Sequence, residues 1–171
     1  MIKDMNIQFL FLKKVEKKAA IYLKTIEWIK KLTIKLDNEE GSAFLKFVKQ
    51  NLKLPDPYQV FIIYNQSIDD VVGIASLIPD DQGVGKECNI SGIWIAGVNI
   101  KREYRNKGYG NKLIENVDKY LNNLSDKPIR INLFSNNPIA IRVYEKIGFK
   151  YSGLEVLRMG KINKIYSKRY V

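Results

Sequence analysis

Arg105-Asn106-Lys107-Gly108-Tyr109-Gly110 decides the reading of this chain. The apolar run of residues 90–100 precedes it, and a helical pattern over residues 109–124 follows. A strand, a glycine-containing turn and a helix together present free backbone amides to a phosphate. The first N–H groups of a helix have no acceptor within it, and the helix dipole adds about half a positive charge at that end. Gly108 and Gly110 omit the Cβ atoms that would hold a diphosphate away from those amides. Arg105 and Lys107 bring side-chain charge to the same place. The spacing fits neither G-x-x-x-x-G-K-[ST] nor G-x-G-x-x-G, which argues against a P-loop kinase and a Rossmann dehydrogenase.

Composition narrows the chemistry. The 171 residues, 46% of them hydrophobic, suit one compact domain over residues 1–171. No uncharged apolar run approaches the roughly 18 residues of a membrane span. The start, Met1-Ile2-Lys3-Asp4-Met5, lacks the apolar stretch of a secretory signal, and the single cysteine, Cys88, fits a reducing compartment, so a cytoplasmic protein is expected. There is no histidine, which removes Ser-His-Asp and Cys-His catalysis and H-E-x-x-H zinc sites. Proton transfer is left to carboxylate, tyrosine, lysine, cysteine, backbone or water. No tight Asp/Glu cluster suggests a metal; Asp80-Asp81 comes nearest, and a solvated turn explains that pair. The net charge of +11 invites an acidic partner. No RNP-like aromatic motif, zinc finger or arginine-rich arm accompanies it, so nucleic acid is not the expected partner.

Along the chain, residues 7–12 read as a strand. From Val15, apolar residues recur at Ala19, Tyr22, Leu23, Ile26 and Ile29, which is helical spacing, and this helix is expected to reach about Leu36. A break at residues 37–41 leads to a second helix over 42–52, then to two strands, 59–64 and 71–78, joined by a polar hairpin loop. Residues 79–83 read as a turn, and the strand before the glycine turn spans about 90–100. Residues 129–134 form a further strand. Asn137 and Pro138 look like an N-cap followed by proline at the first helical position, and Gly148 stops that helix. Two final strands, 149–159 and 164–170, are joined by a turn at 160–163. The expected fold class is α/β, a single mixed, mostly antiparallel sheet with helices on both faces.

Two segments together resemble the GNAT superfamily of N-acetyltransferases. The acetyl-CoA motif of that family, Q/R-x-x-G-x-G/A, is matched by Arg105 to Gly110. Its later motif, N-x-x-A-x-x-x-Y-x-x-x-G-F, is matched by Asn137, Ala140, Tyr144, Gly148 and Phe149. The two occur in the right order with a helix and a strand between them. The resemblance is sharp over residues 93–151 and only topological before that.

The resemblance implies a splayed pair of parallel strands, those before Arg105 and before Asn137, with the pantetheine of acetyl-CoA pairing with backbone at Val98, Asn99 and Ile100. The diphosphate would sit on the amides of Asn106, Lys107, Gly108, Tyr109 and Gly110, and Asn137 would bond the pantetheine arm. Tyr144 stands where the family often has its general acid, and the Ile100 N–H would polarise the thioester carbonyl. A core aromatic is the other reading of Tyr144. The implied reaction is direct acetyl transfer to an amine acceptor, small molecule or protein, with no metal; a CoA-binding module without catalysis is the alternative. Many family members carry a glutamate on the strand six residues ahead of the Ile100 position. Here that residue is Trp94, for which pocket and core readings both stand. The base is therefore water or a carboxylate from elsewhere, with Glu87, Asp80 and Asp81 as candidates. The acceptor loops are placed near residues 28–38 and 79–88, and Asp80-Asp81 leans toward a small cationic amine. A homodimer is left open.

Overall fold

The computed structural model of the chain describes residues 6–35, 40–127 and 129–171. The sequence-predicted break at 37–41 and the expected end of the first helix at Leu36 fall largely outside them, as does Met1 to Met5. The element order is β1 (Ile7–Phe11), α1 (Ala20–Lys35), α2 (Glu40–Asn51), β2 (Val60–Asn65), β3 (Asp70–Ile78), α3 (Val84–Glu87), β4 (Ile93–Ile100), α4 (Tyr109–Asn122), β5 (Ile129–Ser135), α5 (Pro138–Lys146), β6 (Lys150–Arg158) and β7 (Lys161–Tyr170). The seven strands form one mixed sheet in the order β1-β2-β3-β4-β5-β7-β6. Only β4 and β5 run parallel among the described pairings. The expected α/β class with a mixed sheet is the one observed.

Two compact units are formed by the described residues of Met1–Ser76 with Gly97–Tyr109 and by those of Leu77–Ala96 with Gly110–Val171. In the first, Leu12, Trp28, Ile29, Val48, Val60, Ile62, Val71 and Ile74 form a buried cluster. Each large apolar side chain so buried stabilises by about 1.5–3 kcal/mol before chain entropy is counted. The antiparallel β1–β2 ladder places Phe11 opposite Phe61, and their rings meet edge to face at 5.3 Å. β3 is buried from Val71 to Ile78, Ser76 included, which is why its residues do not alternate between apolar and polar. In the second unit, α4 buries Leu113, Ile114, Val117 and Leu121, one stripe at helical spacing. β5 and β7 pair along their lengths, from Ile129↔Tyr170 to Ser135↔Lys164.

Three local differences from the sequence reading have physical causes. Helix α1 starts at Ala20 rather than Val15, because Leu12–Lys14 winds into a 3-10 turn and Val15 is extended. The Lys13 ammonium donates there to the carbonyls of Leu54 and Tyr58. The last hairpin turns at Met159 and Gly160, with Arg158 opposite Lys161, so β7 begins three residues earlier than predicted. Both turn residues have positive φ, 51° and 71°, as a two-residue turn matched to strand twist requires. Finally, β4 starts at Ile93, and Val84–Glu87 forms a short helix between the expected turn at 79–83 and the expected strand.

Candidate active site

β4 carries the elements of the site. Its ladder with β5 has two rungs among the described residues, Ile93↔Ile131 and Trp94↔Asn132, although β4 continues to Ile100. Gly97, with φ +61°, interrupts the extended backbone after Ala96. A side chain there would also meet the Phe44 and Phe47 rings, at 3.0 and 3.1 Å from a Cβ. A left-handed glycine inside a strand bends it and ends regular pairing. Val98, Asn99 and Ile100 follow the bend and are partly buried. The Asn99 side-chain oxygen is buried with no hydrogen-bond donor among the described residues.

After β4 the chain makes a 3-10 turn, Arg102–Tyr104, and then the glycine turn. Arg105 Nε donates to the Ile100 carbonyl at 2.9 Å. Asn106 and Gly108 adopt left-handed backbone, φ +60° and +83°. None of the amides of Asn106, Lys107, Gly108, Tyr109 and Gly110 has a backbone acceptor among the described residues. A Cβ on Gly108 would meet nothing within 4 Å. The turn therefore offers consecutive free donors at the start of α4, beside the exposed side chains of Arg105 and Lys107.

The base of this turn is fixed by residues that the sequence reading passed over. Asn65 donates to the buried Tyr109 hydroxyl at 2.8 Å. Tyr104 packs edge to face on Tyr109 at 6.1 Å and donates to the Asp70 carboxylate at 3.1 Å. Lys101 pairs with the same carboxylate at 2.6 Å, and its backbone N–H donates to Val72 O at 2.9 Å. Burial, then the bond to Asp70, push the Tyr104 phenol up to about 12, so it stays a donor at neutral pH. Asn65 and Asp70 bound the hairpin loop of β2 and β3, and their separation in sequence hides this role.

Gly110, Asn137, Tyr144 and Trp94 belong to the second unit. Asn137 caps α5, its Oδ1 accepting from the amides of Ile139 and Ala140 at 3.0 and 3.4 Å. Pro138 occupies the first helical position, and Gly148 N–H donates to Glu145 O at 3.0 Å just past the helix end, as the sequence implied. Tyr144 is 6% exposed and meets Phe149 edge to face at 6.2 Å. Its hydroxyl has no hydrogen-bond partner among the described residues, and burial pushes it up to about 12. Trp94 is fully buried, as the core reading of it implies.

The three candidate carboxylates separate cleanly. Asp80 accepts from the amides of Gly85 and Lys86 with its two oxygens, at 2.7 and 3.2 Å, and so caps α3. Glu87 forms an ion pair with Arg158, whose guanidinium also donates to Gln82 O at 3.3 Å. Asp81 is only 9% exposed, which corrects the expectation of a solvated pair. It makes no side-chain hydrogen bond among the described residues. Burial, then the neighbouring Asp80, raise it to about 7 against the opposing pull of Arg158. Desolvation of a carboxylate disfavours its charged form, which is the cause here.

The profile of the Acetyltransferase (GNAT) family matches residues 23–149, and the chain belongs to that family. The spermine/spermidine N(1)-acetyltransferase of Bacillus subtilis (strain 168) is 34% identical over 88 residues, 49% of this chain and 55% of that relative. The chain spans about half the length of the curated relatives it matches. A GNAT-family acetyltransferase from Streptococcus pneumoniae superposes with a TM-score of 0.65 at 16% identity, over 95% of this chain and 99% of the other. The yncA protein of Salmonella typhimurium, solved with its cofactor acetyl-CoA, does so with a TM-score of 0.63 at 14% identity, over 96% and 94%.

Proposed function

We propose that this chain transfers the acetyl group of acetyl-CoA directly to a primary amine. The observation that carries the reading is the run of unpartnered amides from Asn106 to Gly110 at the start of α4, flanked by Arg105 and Lys107. Such a run fits a diphosphate, and the orphaned Asn99 oxygen fits the amide donors of a pantetheine chain.

Bound acetyl-CoA supplies the acetyl thioester that an amine attacks. The residues of this chain do the rest. The turn amides hold the diphosphate, and backbone at Val98, Asn99 and Ile100 pairs with the pantetheine. Arg105 Nε holds the Ile100 carbonyl, and the Ile100 N–H is the donor assigned to polarise the thioester carbonyl. Tyr144 keeps its proton at neutral pH and gives it to the departing sulfur. Asp81 is the base: Asp80 and Glu87 are held by their own partners, whereas Asp81 is free and titrates where a base is useful. Asn137, its Oδ1 engaged in the cap, has its amide NH2 left for the pantetheine arm.

For the acceptor, the Bacillus subtilis relative supports a small aliphatic polyamine. The test is calorimetry with acetyl-CoA, followed by CoA release across a panel of spermine, spermidine, amino acids and N-terminal peptides. Saturable binding with turnover on one amine class is expected. Binding without turnover on any amine would favour a CoA-binding module, and no heat at millimolar cofactor would remove the basis of the reading.

A further inference from the structure

The second unit carries a cavity of about 640 Å³ whose lining includes Ser91, Arg130, Ser167, Lys168 and Arg169. Its chemistry is basic and hydroxylic. In the β5–β7 ladder Arg130 lies directly opposite Arg169, and two positions on, Asn132 lies opposite Ser167. Residues two apart on a strand share a face, so both pairs stand on one side of the sheet. Like charges placed directly opposite in a ladder destabilise it. Neither arginine has a carboxylate partner among the described residues, and both are exposed.

The polar groups around them divide by commitment. Lys168 is spent on Asp118 and on the Ile147 carbonyl, at 2.6 and 2.7 Å, so it adds field rather than contact. Ser167 donates to Asn132 Oδ1 at 2.7 Å, and the Asn132 amide donates to Ser91 O at 3.0 Å. That chain of bonds fixes the wall of the cavity. The Ser91 hydroxyl is left without a partner among the described residues. Two free guanidinium groups and a free hydroxyl, opening on a space of ligand size, match a phosphoryl oxyanion.

We propose that this cavity binds a phosphate-bearing small molecule through Arg130 and Arg169, at a place separate from the glycine turn. An anion between the two guanidinium groups offsets their mutual repulsion, which the folded chain otherwise bears. No transfer chemistry is assigned there.

The test titrates pyrophosphate, inorganic phosphate and AMP into the full chain with its acetyl-CoA site filled by saturating CoA. One-to-one binding of pyrophosphate is expected, weakened at least tenfold in Arg130→Gln/Arg169→Gln, with affinity for acetyl-CoA changed less than twofold. AMP tighter than pyrophosphate would assign an organic phosphate; the reverse would assign the inorganic anion. Either exposed arginine can be changed alone, and Arg169→Gln is expected to raise the melting temperature slightly without ligand. Binding that persists in the double variant would reduce the site to diffuse attraction by the basic surface. Binding lost instead in Gly108→Ala would put pyrophosphate on the turn. Either result, or a silent titration, overturns the proposal.

Discussion

The glycine turn at Arg105 to Gly110 and the acidic loop at Asp80 to Asn89 are both short connections rich in charge, yet they use their backbone oppositely. In the acidic loop the amides from Val84 to Asn89 find partners within it. Val84 donates to Asp81 O, Gly85 and Lys86 to the Asp80 carboxylate, Glu87 to Gly83 O, and Cys88 to Val84 O. In the glycine turn the amides from Asn106 to Gly110 donate to no backbone group among the described residues, while the side chains beneath, Tyr104 and Tyr109, are firmly held. A loop that satisfies its own donors is structure. A rigid turn that leaves them open is a receptor for an anion. By the same logic Asp81, the carboxylate of its loop whose side chain makes no hydrogen bond among the described residues, is the one proposed above as the base.

The largest effect is expected at that residue. Asp81→Asn should lower acetyl transfer by about 10²–10⁴-fold at pH 8 and remove the limb of the kcat/KM profile near pH 7. A profile unchanged in height and shape would return Asp81 to structure and leave water as the base. The same substitution should stabilise the fold. Asp81 lies near 7 when folded and at its ordinary 3.8 when unfolded. Between those values the folded chain holds a proton that the unfolded chain has lost, so stability falls as pH rises from about 4 to about 7. Removing the carboxyl should raise stability at pH 8 by on the order of 2–4 kcal/mol and leave it unchanged below pH 4, as read by urea unfolding. Loss of activity together with a gain in stability is the signature of a base held against its own solvation.

Tyr144→Phe tests the other proton. Turnover should fall by about 10²-fold with acetyl-CoA affinity unchanged, measured by single-turnover kinetics and calorimetry. Equal turnover would make Tyr144 a packing residue. The smallest effect sharpens the comparison itself. Gly83 and Gly108 both have positive φ, 74° and 83°, and neither has an atom within 4 Å of an added Cβ. Gly83→Ala and Gly108→Ala should therefore each cost about 1–2 kcal/mol of backbone strain. Only Gly108→Ala should also weaken acetyl-CoA, by about tenfold. Equal affinities in the two variants would mean that the turn is not the receptor.

Much of this was legible in the sequence because the signals are local. Arg105 to Gly110 and Asn137 to Phe149 each carry their geometry within a dozen residues: a turn, a cap, a proline, a helix stop. What escaped depends on tertiary contact. Asp81 next to Asp80 looks solvated until Val84–Glu87 winds into a helix too short to leave a periodic pattern. The anchoring of Tyr109 by Asn65, and of Tyr104 by Asp70, joins residues 44 and 34 positions apart. Gly97 within an apolar run was the available hint that β4 bends, since an isolated glycine in a strand marks a bulge. Arg130 and Arg169 become neighbours only through the β5–β7 register.

The most direct measurement is an amide-resolved NMR titration with acetyl-CoA on the ¹⁵N-labelled chain. The amides of Asn106, Lys107, Gly108, Tyr109 and Gly110 should shift together and saturate with one constant, while those of Val84 to Cys88 move little. Saturable binding that leaves the five turn amides in place would contradict the account.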